Sequence, residues 1–239
     1  MTSPESFVIK NLEHYEKYGE DWVCPGMVSY LTALKESGFK PNVIYDIGSC
    51  VGHWSRIASR IFPEASIFCF EPNPDASILY IRVDKEFDSC LAFKDMPQTR
   101  VYPVLLSDVD GQELKFHYSK EHINGNSYYK ENSEHFDNHI IMTSRSLDSF
   151  DLPPPDLVKI DVQGAEMDVI RGGIKKICET QHLVVEMQHT EYNLGAPQVG
   201  ETKPFIESLG FKFRENIHKS LYDGDYTFEK VQTVVENNQ

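Results

Sequence analysis

The sequence predicts an α/β fold, a mainly parallel sheet with crossover helices, and three observations carry that expectation. Strand-like and helix-like segments alternate along most of the chain, the pattern of a sheet covered on both faces. The run Val43-Ile44-Tyr45-Asp46-Ile47-Gly48-Ser49-Cys50-Val51-Gly52-His53-Trp54-Ser55 reads as a buried strand, a glycine turn and the first turn of a helix. Four acidic residues, Asp46, Glu71, Asp161 and Glu186, stand at or near the ends of apolar strand-like runs. The 239 residues, 40% hydrophobic and 25% charged, suit one globular domain spanning residues 1–239.

Residues 1–41 form a helical prelude. Phe7, Val8, Leu12, Tyr15 and Tyr18 recur at near-helical spacing, and a second helix over Met27 to Ser37 is stopped by Gly38, with Pro41 beyond. The sheet follows from residue 42. Its first strand is Val43 to Ile47, and Ser66 to Phe70 is the next, ending at Glu71. A helix over about Asp75 to Phe87 leads to a strand at Val101 to Leu106, a turn at residues 107–111, and a strand at Glu113 to Tyr118. Residues 119–139 are polar and aromatic without a period. A loop this long in a compact domain is expected to act as a lid, with Tyr128, Tyr129, His135 and Phe136 as stacking surface. Ile140 to Thr143 is a short strand. Leu157 to Ile160 ends in Asp161, and Gln163-Gly164-Ala165-Glu166 opens a helix that stops near Gly172-Gly173. His182 to Met187 is a further strand, ending in Gln188 and His189.

The net charge of −14, from 37 acidic and 23 basic residues, repels phosphate backbones, and no basic stripe offsets it. A nucleic-acid substrate is therefore disfavoured. Five cysteines without a C-x-x-C pair indicate reduced thiols in a cytoplasmic setting. The N-terminal residues lack the pattern of a signal peptide, and no apolar run approaches the ~20 residues of a membrane span.

The glycine turn narrows the ligand. Dinucleotide sites use G-x-G-x-x-G to admit a pyrophosphate, whereas this chain has D-x-G-x-x-x-G. A carboxylate at the strand tip repels a pyrophosphate and suits a cofactor with a cationic amino-acid end, such as S-adenosylmethionine. Glu71 at the second strand tip is placed to accept hydrogen bonds from ribose hydroxyls. Trp54 is expected to pack on the sheet.

The segments V-I-Y-D-I-G-x-x-x-G, F-E-P-N-P, L-S-D-x-D-G, S-L-D-S-F and V-K-I-D-V-Q-G-A-E-x-x-V-I-R-G-G, between about Val43 and Lys230, resemble the FkbM-type S-adenosylmethionine-dependent methyltransferases. The resemblance implies the Rossmann-like class I methyltransferase sandwich, with seven strands. The last two, Phe211 to Asn216 and Tyr226 to Lys230, would form the antiparallel pair. It further implies that Asp46, Gly48 and Gly52 shape the methionine end of the cofactor site, that Glu71 binds the ribose with Asn73 supporting that turn, and that Ser107 and Asp108 edge the adenine. The implied reaction is O-methylation of a small-molecule or glycan hydroxyl. Asp161, at a strand tip, is the first candidate for positioning the acceptor or taking its proton, and His189 the second. Glu166 and Glu186 are candidate substrate hydrogen bonders. Gln163 stands where many relatives have Glu, and it is assigned no proton transfer. No metal is expected: His135 and His139 have H-x-x-x-H spacing but lack the zincin glutamate. A nicotinamide-dependent oxidoreductase and a non-catalytic cofactor-binding module are the alternatives.

Overall fold

The computed structural model describes residues 25–50, 52–73, 98–119 and 122–231. The helices expected over residues 5–18 and 75–87 lie outside them. Helix α1 (Pro25–Glu36) precedes strand β1 (Val43–Ile47), helix α2 (His53–Ile61) and strand β2 (Ser66–Phe70). Strands β3 (Thr99–Tyr102), β4 (Leu105–Leu106), β5 (Glu113–His117) and β6 (His139–Arg145) follow. The chain continues through β7 (Leu157–Ile160), α3 (Glu166–Gly172), α4 (Ile174–Glu179), β8 (His182–Gln188), α5 (Val199–Ser208), β9 (Phe211–Lys219) and β10 (Asp223–Lys230).

The main sheet has seven strands in the order β3-β2-β1-β7-β8-β10-β9. All neighbours are parallel except β10, which runs antiparallel to both β8 and β9. The expected architecture and final antiparallel pair are therefore present. The strand expected over Val101 to Leu106 is divided: β3 ends at Tyr102, and β4 leaves the main sheet to pair with β6 in a small sheet ordered β4-β6-β5. Pro103 lies at the break and has no N–H to continue a ladder. Helix α5 has no counterpart in the sequence reading, and Pro204 inside it explains why the residue pattern conceals a helix.

Period-2 alternation assigns each strand residue to a face. Ile44, Leu157 and Val184 pack with α1 and α2 through Leu31, Trp54 and Ile57. Tyr45, Val158 and Val185 pack with α3, α4 and α5 through Ile170, Ile177 and Ile206. Residues next in register turn toward the α1–α2 side, which places Asp46, Lys159 and Glu186 together. Among the described residues no helix is long and apolar enough to cross a membrane.

Candidate active site

Strand order reverses between β1 and β7, so the carboxyl ends of those strands open a crevice. A cleft of about 360 Å³ occupies this position, within the range of small-molecule sites. The loop after β1, the tip of β2, and the strand ends carrying Asp161, Glu186 and Asp225 line it, and part of the segment after β5 covers it through Asn126, Ser127 and Tyr128.

The loop after β1 turns through left-handed conformations at Gly48 (φ +76°), Cys50 (φ +47°) and Gly52 (φ +79°). At Gly48 the glycine is required by a close approach. A Cβ there would lie 1.7 Å from the Asp161 carbonyl oxygen, so the backbone of β7 fills the space a side chain would need. Gly52 is the N-cap of α2 and supplies no side-chain cap.

Asp46 is fully buried beneath the cleft lining. Its carboxylate accepts a hydrogen bond from Ser55 Oγ at 2.5 Å and lies 3.6 Å from Lys159 Nζ. Burial raises its pKa, against the pull of Lys159 and Ser55. Lys159 is the central cation. Its ammonium lies 3.1 Å from Asp161 and donates to the Gly48 carbonyl at 3.4 Å. Burial disfavours the charge, but Asp161 and Asp46 outweigh burial and hold the ammonium above its ordinary pKa. A lysine inside an apolar strand gives no sequence signal beyond its place two residues before Asp161.

Glu71 accepts hydrogen bonds from the backbone N–H groups of Cys50 and Asn73, each at 2.8 Å. Burial pushes its carboxyl up to about 7 despite those donors. Each oxygen keeps a further lone pair for a ligand. Asn73 is buried beside it. Ser107 and Asp108 are not in the cleft lining. The Ser107 hydroxyl contacts Asp108 at 3.2 Å and Tyr128 at 3.5 Å, behind the cleft wall.

Asp161 and Glu186 face the cleft together. Gln163, at φ +54°, donates through its side-chain amide to Asp161 at 2.9 Å and to Glu186 at 2.7 Å. Burial opposes charge on Asp161, but Lys159 and Gln163 keep its pKa below the ordinary value. Glu186 is driven the other way, by burial and then by the charges of Asp161 and Glu166. Directly across the ladder from Glu186 is Asp225, pushed up to about 6 by burial and by Asp161. Its partner His218 is 3.6 Å away. Asp225 was not singled out by the sequence because its relevance depends on the β10–β8 pairing.

Two sequence candidates lie elsewhere. Glu166 is buried and turned into its own loop, where it accepts from the N–H groups of Val162 at 2.9 Å and Gly164 at 3.1 Å. Burial raises its carboxyl to about 7. It clamps the Gln163 turn and does not line the cleft. His189 is separated from Asp161: alternation from Val185 and Met187 puts it on the α3–α5 face, where its Nε2 hydrogen-bonds with Tyr226 OH at 2.8 Å. The two histidines at H-x-x-x-H spacing also diverge, His135 packing on His122 and His139 on His117. Among the described residues no three His, Cys, Asp or Glu side chains are placed to hold a metal ion.

The segment expected as a lid is tied down. Tyr128 and Tyr129 both donate their hydroxyls to Asp168 Oδ2 of α3 at 2.8 Å. Isolated β-bridges, His117 with Ser127 and Glu131 with Asn193, fix its backbone.

The fold and cleft define a class I methyltransferase fold with its ligand crevice at the switch point. The chain belongs to the methyltransferase FkbM domain family, whose model matches residues 46–213. It is 33% identical over 170 residues to the 2-O-methyltransferase NoeI of Sinorhizobium fredii, covering 64% of this chain and 66% of that protein. It is 28% identical over 165 residues to the hexuronic acid methyltransferase AglP of Haloferax volcanii, covering 68% and 62%. The matched stretches thus span just under two thirds of the length of these relatives. Among solved structures, a methyltransferase FkbM from Methylobacillus flagellatus superposes with a TM-score of 0.50 at 14% identity, covering 78% of this chain and 43% of that one. An O-methyltransferase family 2 protein from Planctomyces limnophilus gives 0.51 at 12% identity, covering 97% and 62%. At these identities the structural likeness establishes the fold alone.

Proposed function

We propose that this chain is an S-adenosylmethionine-dependent O-methyltransferase whose acceptor is a hydroxyl of a sugar or glycan, with residues 42–239 as its cofactor-binding and catalytic part and the 119–139 segment as the cover of its cleft. The observation that carries this reading is the cleft itself, with Glu71 on one side and the Asp161–Glu186 pair on the other. Among the described lining residues Lys159 is the one Lys or Arg, and its charge is taken up by Asp46 and Asp161. Such a lining suits a cationic cofactor and repels a pyrophosphate. The sugar hydroxyl is supported by the activities named for the two relatives.

When bound, the cofactor supplies an electrophilic methyl group on a sulfonium. Glu71 fits the ribose diol, through the lone pairs its backbone partners leave open. The loop from Gly48 to Gly52 fits the amino-acid end. Asp161, kept ionised by Lys159, accepts a hydrogen bond from the acceptor hydroxyl and fixes the oxygen's direction. Were a methyl to pass to that oxygen, with the sulfonium's S–CH3 bond broken and a thioether left behind, the hydroxyl proton would become strongly acidic, and even a carboxylate of depressed pKa could take it. Glu186 and Asp225 supply further acceptors for sugar hydroxyls. Glu166 acts on the Gln163 turn and touches no substrate.

Thermal shift with S-adenosylhomocysteine, followed by labelled methyl transfer to a sugar and glycan panel, tests the reading. Binding of a native-state ligand at 100 times its Kd stabilises by about 2.7 kcal/mol. The expected result is a raised melting temperature with S-adenosylhomocysteine and none with NAD. A response to NAD alone would overturn the proposal.

A further inference from the structure

Gln163 holds a left-handed backbone, at φ +54°, without being a glycine. Residues with side chains rarely adopt that conformation, and they keep it only where the surroundings impose it. Here a single atom does so. Glu166 Oε1 accepts from the N–H groups on either side of Gln163, those of Val162 at 2.9 Å and Gly164 at 3.1 Å. Glycine would suit this turn better, so the backbone gives no reason for a side chain at this position.

The reason lies in the cleft, which Gln163 lines together with Asp161 and Glu186. The Gln163 amide nitrogen donates to Asp161 Oδ1 at 2.9 Å and to Glu186 Oε2 at 2.7 Å. An amide nitrogen carries two hydrogens, and both are spent on this pair. Asp161 is thereby held by both oxygens, since its Oδ2 lies 3.1 Å from Lys159 Nζ. Two anchors on opposite oxygens fix the plane of the carboxylate. The two acids come from neighbouring parallel strands, one just beyond β7 and one in β8, and as like charges they repel. A cation between them would hold them and cancel a charge. The neutral amide holds them without cancelling one. It also serves an ionised carboxylate and the carbonyl oxygen of a protonated carboxyl, so the pair keeps one geometry with or without a shared proton.

We infer that Gln163 is a positioning residue, whose amide sets Asp161 and Glu186 as one rigid seat for the acceptor hydroxyl. This role rests on the function proposed above. It divides the turn between two side chains: Glu166 shapes the backbone, and Gln163 transmits that shape to the reacting end of the cleft.

Carboxyl titration and turnover of the whole chain test the assignment. The Asp and Glu carboxyl carbons are labelled with carbon-13, and the Asp161 and Glu186 signals are identified by their loss in Asp161→Asn and Glu186→Gln. Gln163→Met keeps length and bulk without the N–H groups, and Gln163→Gly removes the side chain but suits the turn. In both variants the Asp161 midpoint should rise by about one pH unit, the loss of one hydrogen bond to a charged group. On a working acceptor kcat should fall about tenfold, with S-adenosylhomocysteine binding within about twofold of the parent. The other charges around the pair, Lys159, Asp46, Glu166, Asp223 and Asp225, are the same in every variant. If Gln163 served only the turn, Gln163→Gly would titrate and turn over like the parent, and that result overturns the assignment. An unmoved midpoint or an unchanged kcat in Gln163→Met does so too. If Gln163→Met does not fold, Gln163→Gly decides alone. A parent that methylates no acceptor overturns the function proposed above, while the midpoints still decide on the pair.

Discussion

Gly48 and the Asp161 carbonyl are in such close contact that even a methyl group between them would collide, at 1.7 Å. The loop after β1 and the tip of β7 are thus one mechanical unit. Gly48→Ala adds that collision to the cost of a left-handed backbone at φ +76°. The expected destabilisation is about 2–5 kcal/mol, read from urea unfolding. A variant as stable as the parent would show that the loop can separate from β7.

Stability should fall as pH rises from about 4.5 toward 7. Glu71 and Glu166 have native pKa values raised to about 7, and Asp225 to about 6. In that window the unfolded chain has released protons that the native state retains, so the native state loses ground with increasing pH. Asp161, with a lowered native pKa, contributes the opposite slope at more acidic pH. Unfolding at constant ionic strength across pH 4–8 measures the sum, and Glu71→Gln should flatten the curve near neutrality. A flat profile in the parent would contradict the burial argument.

The latch between Asp168 and two tyrosines can be opened selectively. Asp168→Ala leaves the hydroxyls of Tyr128 and Tyr129 without their shared acceptor. We expect a cost of about 1–3 kcal/mol and faster proteolytic cleavage within residues 119–139, at protease levels that spare the parent. Unchanged cleavage would mean the backbone bridges alone hold the segment.

Turnover should separate the two proton-transfer candidates raised by the sequence. Asp161→Asn is expected to lower kcat by about 10²–10⁴ on a working acceptor. His189→Ala, which removes a side chain bonded to Tyr226 on the opposite face, should leave kcat within about twofold, an effect below 0.5 kcal/mol. The reverse ranking would require the acceptor to enter from the α3–α5 side.

These expectations show what kinds of information the residue pattern holds. Strands with Asp46, Glu71 and Asp161 at or just beyond their carboxyl ends were legible because apolar runs and acidic tips are local signals, and Gly48 and Gly52 announced a turn that does use positive φ. Lys159 was not legible as a hub. Its two partners arrive from β1 and from beyond the end of β7, and only the parallel pairing brings Asp46 opposite it. Asp225 needed the antiparallel insertion of β10 between β8 and β9. His189 is different: three positions separate it from Glu186, and strand alternation alone would place them on opposite faces. Glu166 reads as a cleft residue in sequence because its motif cannot show that its carboxylate folds back onto Val162 and Gly164.

The place of β10 has a consequence for synthesis on the ribosome. The strand that supplies Asp225 and covers the edge of β8 follows β9 in chain order, although it lies inside the sheet. Until residues 223–230 have left the exit tunnel, the nascent chain presents β8, with Leu183, Val184 and Val185, as an unpaired apolar border open to other chains. Closure of that border, and with it the placing of Asp225 opposite Glu186, therefore waits on the synthesis of β10.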